Sequence, residues 1–126
     1  MLSENKNKFV HGIVSDFDET GGYFIGQFMG QRGKPVLETE EVEVAWKKIP
    51  TEFSDSKPHY HKRGVEINIV INGSITVLIS EKEITIRKGE FLVVYPETEL
   101  LDISAEEETE MIVVKSPSVP DDKFYR

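Results

Sequence analysis

Apolar and polar residues alternate with a period of two along much of this chain. In EVEVAWKKI (41–49), Val42, Val44 and Trp46 alternate with Glu41 and Glu43. That pattern predicts a half-buried β-strand with the valines and the tryptophan on its inner side. YFIGQFM (23–29) reads as an earlier strand between Gly21-Gly22 and GQRGKP. VEINIVI (65–71) and ITVLI (75–79) flank Asn72-Gly73-Ser74, and Asn-Gly between apolar runs predicts a β-hairpin. A second tight turn is expected at Glu81-Lys82, between LIS and EITI, and RKGE then leads into FLVVY (91–95). MIVVK (111–115) is the last apolar run before the tail SPSVPDDKFYR. No stretch of ten or more residues carries the 3.6-residue period of an amphipathic helix. Short strands punctuated by Gly, Pro and Asn predict an all-β, antiparallel sandwich or small barrel.

A chain of 126 residues is long enough to bury a core and is expected to form one domain. The N-terminal strands would occupy about 9–49, the main barrel about 50–115 and a tail 116–126. With a formal net charge of −8, polyanionic partners gain little, so neither nucleic acid nor an acidic membrane is expected. No apolar run approaches the ~20 residues needed to span a bilayer, and the polar start MLSENKNKF does not resemble a signal peptide. The absence of cysteine removes disulfides and thiolate chemistry. A cytoplasmic location is the remaining expectation.

Asp16 and Asp18 in VSDFDETGG (14–22) resemble the nucleophile motif of haloacid-dehalogenase phosphatases. Those enzymes need a doubly wound α/β domain, and the following segments here read as strands. The same residues resemble the start of a calcium loop, but its twelfth position, which requires glutamate, holds Gln27. A polar turn is the expected structure. AEEETE (105–110) is likewise expected to be a solvated turn.

The stretch PHYHKRGVE (58–66) holds two of the chain's three histidines. On a strand, His59 and His61 project from one face and Tyr60 from the other. If Lys62-Arg63-Gly64 is a hairpin turn, a second strand from Val65 would return beside the first, with Glu66 opposite the histidines. Two imidazoles and a carboxylate so placed match a facial triad for Fe(II), and also for Mn, Ni, Co or Zn. An exposed polar strand end is the alternative.

These residues resemble the cupin superfamily of small β-barrels. Its first motif has H-x-H, three or four residues, Glu, six residues and Gly, and His59-Tyr60-His61, Glu66 and Gly73 fit that spacing. The motif's upstream Gly is replaced by Phe53. Its second motif places Gly, an apolar strand, Pro and then a fourth metal-binding His. Gly89, the strand and Pro96 are present, but the last position falls on Leu100 or Leu101.

The resemblance implies a single antiparallel cupin-type β-barrel, jelly-roll-like, with a divalent transition metal (Fe, Mn, Ni or Zn) on His59, His61 and Glu66. It implies action on a small polar metabolite, as a dioxygenase or as a sugar or keto-acid isomerase. A metal-free sensing or binding barrel is the alternative, and isomerisation by His59, His61 and Glu66 without metal is a third. Asp102 is the best substitute for the missing histidine, with Glu97 and Glu99 weaker. Asn68, Tyr95, Leu100 and Asp102 are expected in the pocket, whose rim shows no basic groups beyond Lys62 and Arg63. If Glu66 faces the barrel interior, so do Asn68 and Val70, and Ile67, Ile69 and Ile71 point outward. A second copy in a homodimer is expected to cover them, the N-terminal strands being the alternative cover.

Overall fold

The protein is described by a computed structural model covering residues 3–5 (backbone only), 9–53 and 57–125. Its strands are β1 (Ser3–Asn5), β2 (Phe9–His11), β3 (Tyr23–Ile25), β4 (Glu43–Lys48), β5 (His59–Tyr60) and β6 (Val65–Asn72). They continue as β7 (Ser74–Ile79), β8 (Lys82–Arg87), β9 (Phe91–Val94), β10 (Leu100–Ala105), β11 (Glu110–Ser116) and β12 (Phe124–Tyr125). Two 3₁₀ turns, Val14–Thr20 and Pro35–Leu37, connect the early strands. The first contains Asp16 and Asp18, as a polar turn should. Among the described residues, no helix is long and apolar enough to cross a membrane.

Two five-stranded antiparallel sheets face each other, ordered β3-β4-β11-β6-β9 and β12-β5-β10-β7-β8, and β1 pairs with β2 apart from them. Val70, Val94, Met111 and Val113 from the first sheet pack against Ile75, Val77, Ile79, Ile86 and Leu100 from the second. Each such side chain contributes roughly 1.5–3 kcal/mol on burial. Phe17, Met29 and Leu37 form a smaller cluster under the N-terminal turns.

The Asn72-Gly73-Ser74 turn is not a hairpin. β6 and β7 lie in different sheets, so this turn is a corner that carries the chain across the barrel. Gly73 takes φ +77°, and a Cβ there would collide with Thr109. The buried Thr109 hydroxyl accepts the Ser74 N–H at 3.2 Å, closing the corner. An Asn-Gly pair supplies a tight reversal, but only the pairing of the strands beyond it decides whether one sheet or two receive them. The second tight turn does make a hairpin, one residue earlier than expected. Ser80 and Glu81 both have positive φ, and Ile79 pairs with Lys82, as a two-residue type I′ turn requires.

Two strand expectations need correction. The strand expected over 23–29 stops at Ile25, after which Gly26 (φ +158°) leads into turns. In β4 the faces are reversed: Glu43 and Ala45 are buried, whereas Val44 and Trp46 are only half-buried. Register explains this. Ala45 lies opposite the buried Val113, and Glu43 lies opposite Lys115. Val44 and Trp46 instead lie opposite Val114 and Ile112 on the outer side, and the indole N–H donates to Glu110 Oε1 at 3.2 Å. Alternation reveals two faces, but the partner strand decides which one is inner.

Candidate functional site

The β6 face follows the sequence pattern. Glu66, Asn68 and Val70 are buried on the inner side, with Ile67, Ile69 and Ile71 half-buried on the outer side. The histidines reach Glu66 by a route other than the expected hairpin. β5 pairs with β10 and β12, while β6 pairs with β11 and β9, so Lys62-Arg63-Gly64 is a second corner between the sheets. His61 therefore approaches Glu66 across the barrel.

The C-terminal tail builds that corner. The Asp122 carboxylate accepts backbone N–H bonds from Lys62 (3.0 Å), Arg63 (3.2 Å) and Gly64 (2.9 Å). Burial alone would raise this carboxyl, but the three N–H groups outweigh it and hold it below the usual range. The carbonyl of Asp122 lies 2.8 Å from His61 Nδ1. A carbonyl only accepts, so Nδ1 carries the proton. Beyond it, β12 pairs with β5 and Phe124 stacks on Tyr60 at 5.5 Å. The tail thus covers a sheet edge and fixes the orientation of the His61 ring.

Glu66 sits at the centre of the polar cluster. His61 Nε2 is 3.4 Å and Lys115 Nζ 3.8 Å from its Oε1, and Asn68 Nδ2 donates to its Oε2 at 3.1 Å. Burial pushes the Glu66 carboxyl up, yet His61, Lys115 and Asn68 together bring it down to about 2. Burial and then Lys123 lower His59, so its imidazole is neutral near pH 7. Its Nδ1 lies 3.3 Å from the Lys57 carbonyl. Burial raises Asp102 despite the opposing pull of His59. Leu100 lies directly opposite His59 across the β5–β10 ladder, so an isobutyl group fills the wall beside that imidazole.

A cavity of about 530 Å³ opens inside the barrel and is lined by His59, Glu66, Asn68, Leu100 and Asp102. Its floor is apolar, with Ile75, Val77, Ile86, Leu92 and Met111. His61 lies behind this wall, on a second cavity of about 340 Å³ between the barrel and the tail. Tyr95 does not reach either cavity: it is 66% exposed beyond the end of β9. Glu97 and Glu99 are also exposed, and Glu97 contributes its backbone N–H to the His61 carbonyl at 2.7 Å. The turn closed by the Thr98 N–H on the Tyr95 carbonyl carries the chain away from β9, and all three side chains are exposed.

Several residues on the main cavity escaped the sequence reading. Tyr23, Lys47, Lys48, Lys115 and Lys123 line it, although the rim was expected to lack basic groups beyond Lys62 and Arg63. The inward periodicity of β11, running Met111, Val113, Lys115, could have identified Lys115. Lys47 depended on the reversed faces of β4, and Lys123 on the pairing of the tail.

The three expected metal ligands are only partly assembled. With Nδ1 of His61 protonated, a neutral ring aims its Nε2 lone pair at the Glu66 carboxylate, and Nε2 is buried with no hydrogen-bond partner. Two electron-pair donors so placed call for a cation between them, either a proton or a metal. His59 stands to one side, its ring centroid 5.7 Å from that of His61 at an interplanar angle of 80°. Among the described residues, no three His, Asp or Glu side chains are grouped closely enough to hold a metal. His61 and Glu66 supply two donors, and the ring of His59 stands apart from them.

No protein-family model matches the chain, and no curated protein resembles it closely enough to count as a match. Solved structures do resemble it. Pac13, a nucleoside dehydratase, has a TM-score of 0.61 at 12% identity over 70% of each chain. A Streptomyces Pac13 variant of equal TM-score and identity has been solved with uridine. KdgF from Halomonas sp. has a TM-score of 0.58 at 22% identity, covering 68% of this chain and 79% of that one. A Klebsiella pneumoniae protein with a double-stranded β-helix domain has a TM-score of 0.59 at 16% identity, covering 71% of this chain and 73% of that one. These likenesses show the fold, a cupin-type double-stranded β-helix.

The depressed Glu66 carboxyl has a stability consequence. Its folded value of about 2 lies below the ordinary 4.5, so its contribution is fully present above pH 4.5 and is lost as pH falls toward 2. That contribution is on the order of 3 kcal/mol. Urea denaturation from pH 7 to pH 2 should show the wild type losing more stability across this window than Glu66→Gln does. Parallel curves for the two proteins would contradict the assignment.

Proposed function

Taking the chain as a barrel of the cupin type, we propose that it binds a small polar metabolite in the main cavity and catalyses proton transfer on it. Such chemistry belongs to an isomerase or a related lyase. The observation that carries this reading is the neutral His59 beside Asp102 on the cavity wall. A neutral imidazole can take a proton from a carbon next to a carbonyl, and a carboxyl group of raised pKa can return one to oxygen. Glu66 is too acidic for that exchange, so its role is to orient His61 and Asn68. The apolar floor excludes water from the reacting face. Leu100 adds to this dryness where related barrels carry a fourth metal ligand.

A second reading retains a divalent metal, Fe, Mn, Ni or Zn, and the partnerless His61 Nε2 favours it. His61 and Glu66 would hold the ion, with His59 as the remaining donor. A bound metal would act as a Lewis acid toward a carbonyl or carboxylate oxygen, or bind oxygen in a dioxygenase. In a non-catalytic sensing barrel the same cavity would hold a ligand unchanged. The net charge of −8 argues against nucleic acid or an acidic membrane as partner, and a chain without cysteine is consistent with a cytoplasmic setting.

We also propose a homodimer. The outer side of the first sheet carries Trp46, Ile67, Ile69, Ile112 and Val93, ending in Phe91, which is 70% exposed. A continuous apolar sheet face of this kind is stabilised by a second copy of itself.

The test of chemistry uses deuterium oxide. Small aldoses, ketoses and keto acids are incubated with the protein, and NMR follows deuterium entering the carbon beside the carbonyl. Incorporation in the wild type that falls at least about 100-fold in His59→Ala is the expected result; no incorporation across the panel contradicts proton transfer. Elemental mass spectrometry on the same preparations separates the metal reading. Near-stoichiometric metal lost in His61→Ala would support it, and none after loading with Fe(II), Mn(II), Ni(II) or Zn(II) would sink it. Sedimentation velocity should give a dimer for the wild type and a monomer for Phe91→Asp. A monomeric wild type at tens of micromolar would rule the dimer out.

A further inference from the structure

The main cavity is basic in an acidic chain. The sequence has 23 acidic against 15 basic side chains, yet Lys47, Lys48, Lys115 and Lys123 line this one space with only Asp18, Glu66 and Asp102 as acids. Two of the lysines are occupied: Lys48 pairs with Asp18 at 3.7 Å and Lys115 with Glu66 at 3.8 Å. Among the described residues, Lys47 and Lys123 make no ion pair. Each lies over an aromatic ring instead, Lys47 Nζ 4.8 Å from the centre of Tyr23 and Lys123 Nζ 5.6 Å from that of Tyr125.

Lys47 is half-buried and Lys123 exposed, and each is carried by a paired or anchored segment. Lys47 lies opposite Met111 on the inner face of β4. Lys123 follows Asp122, whose carboxylate is fixed by the three corner N–H groups, and precedes β12, which is paired to the His59 strand. Strand and tail therefore bring one cation each to the wall of the same cavity.

We infer that the ligand carries a negative charge, a carboxylate or a phosphate, bound by Lys47 from β4 and Lys123 from the tail. This rests on the reading that the cavity binds a small metabolite, and it names the class of that metabolite. The anionic group would sit between the two ammonium groups, leaving the rest of the molecule against His59, Asp102 and the apolar floor. Lys115 is held back by Glu66 and takes no part in the clamp.

Acetate, inorganic phosphate and uncharged glycerol are the probes, titrated separately into ¹⁵N-labelled protein. The amide signals of Asn68, Asp102 and Val113 are followed in the wild type, in K47Q/K123Q and in D122N, which loosens the tail. Saturable shifts with acetate or phosphate but not glycerol are expected, weakened about tenfold or more in K47Q/K123Q and by a smaller factor in D122N. Acetate alone, or phosphate alone, identifies which group is bound. Wild-type shifts that persist unchanged in K47Q/K123Q overturn the inference, as does the absence of a saturable shift with either anion. Uridine and glucose, both uncharged, serve as controls. If they bind in the cavity while neither anion does, the metabolite reading stands and the anionic class falls; if nothing binds, both fall.

Discussion

The structure depends on keeping one carboxylate ionised inside a barrel. Removing an anion from water costs several kcal/mol even after relaxation, and Glu66 is only 7% exposed. Its neighbours offset that cost: the His61 ring, the Lys115 ammonium and the Asn68 amide. Each comes from a different part of the chain. Asn68 is two residues along β6, Lys115 is on the adjacent β11, and His61 arrives from the opposite sheet. The pairing of β6 with β11, the corner at 62–64 and the docking of the tail all serve this single charge.

The tail has the most direct influence on chemistry. One residue, Asp122, uses its side chain to cap the corner and its carbonyl to fix the His61 proton on Nδ1. Nε2 is then committed to face Glu66. On the other side of this wall, His59 and Asp102 share a cavity that is polar at one end and apolar below. Burial moves these two groups in opposite directions, His59 toward neutral imidazole and Asp102 toward neutral acid. Under the proposed function these two groups would exchange protons with the bound molecule, while Glu66 remains a fixed charge.

Much of the fold was legible because β6, β7 and β11 alternate over a sheet with one clearly buried side. The inward set Glu66, Asn68 and Val70 followed from the period once the motif had placed Glu66 inside. The errors have a common physical origin in non-local pairing. Asn72-Gly73 and Lys62-Arg63-Gly64 specify reversal, not the sheet that receives the next strand, so both corners looked like hairpins. In β4 the inner side carries Glu43, Ala45 and Lys47, and it is selected by Val113 and Lys115, which are distant in sequence. The meeting of His61 with Glu66 was legible from motif spacing, although the geometry behind it differs from the expected one. Lys47 and Lys123 were not legible, because their positions depend on the reversed β4 faces and on the tail pairing with β5.

The most direct test of this arrangement is the protonation pattern of the His61 ring. A long-range ¹H–¹⁵N correlation spectrum, with His61 assigned by comparison with His61→Ala, reports each ring nitrogen separately. Nδ1 is expected to carry a proton directed at the Asp122 carbonyl, with a proton or a metal between Nε2 and Glu66. A neutral ring protonated at Nε2 alone, with a free Nδ1, would contradict it. The Asp122 carbonyl would then have no donor, and the tail would not set the site.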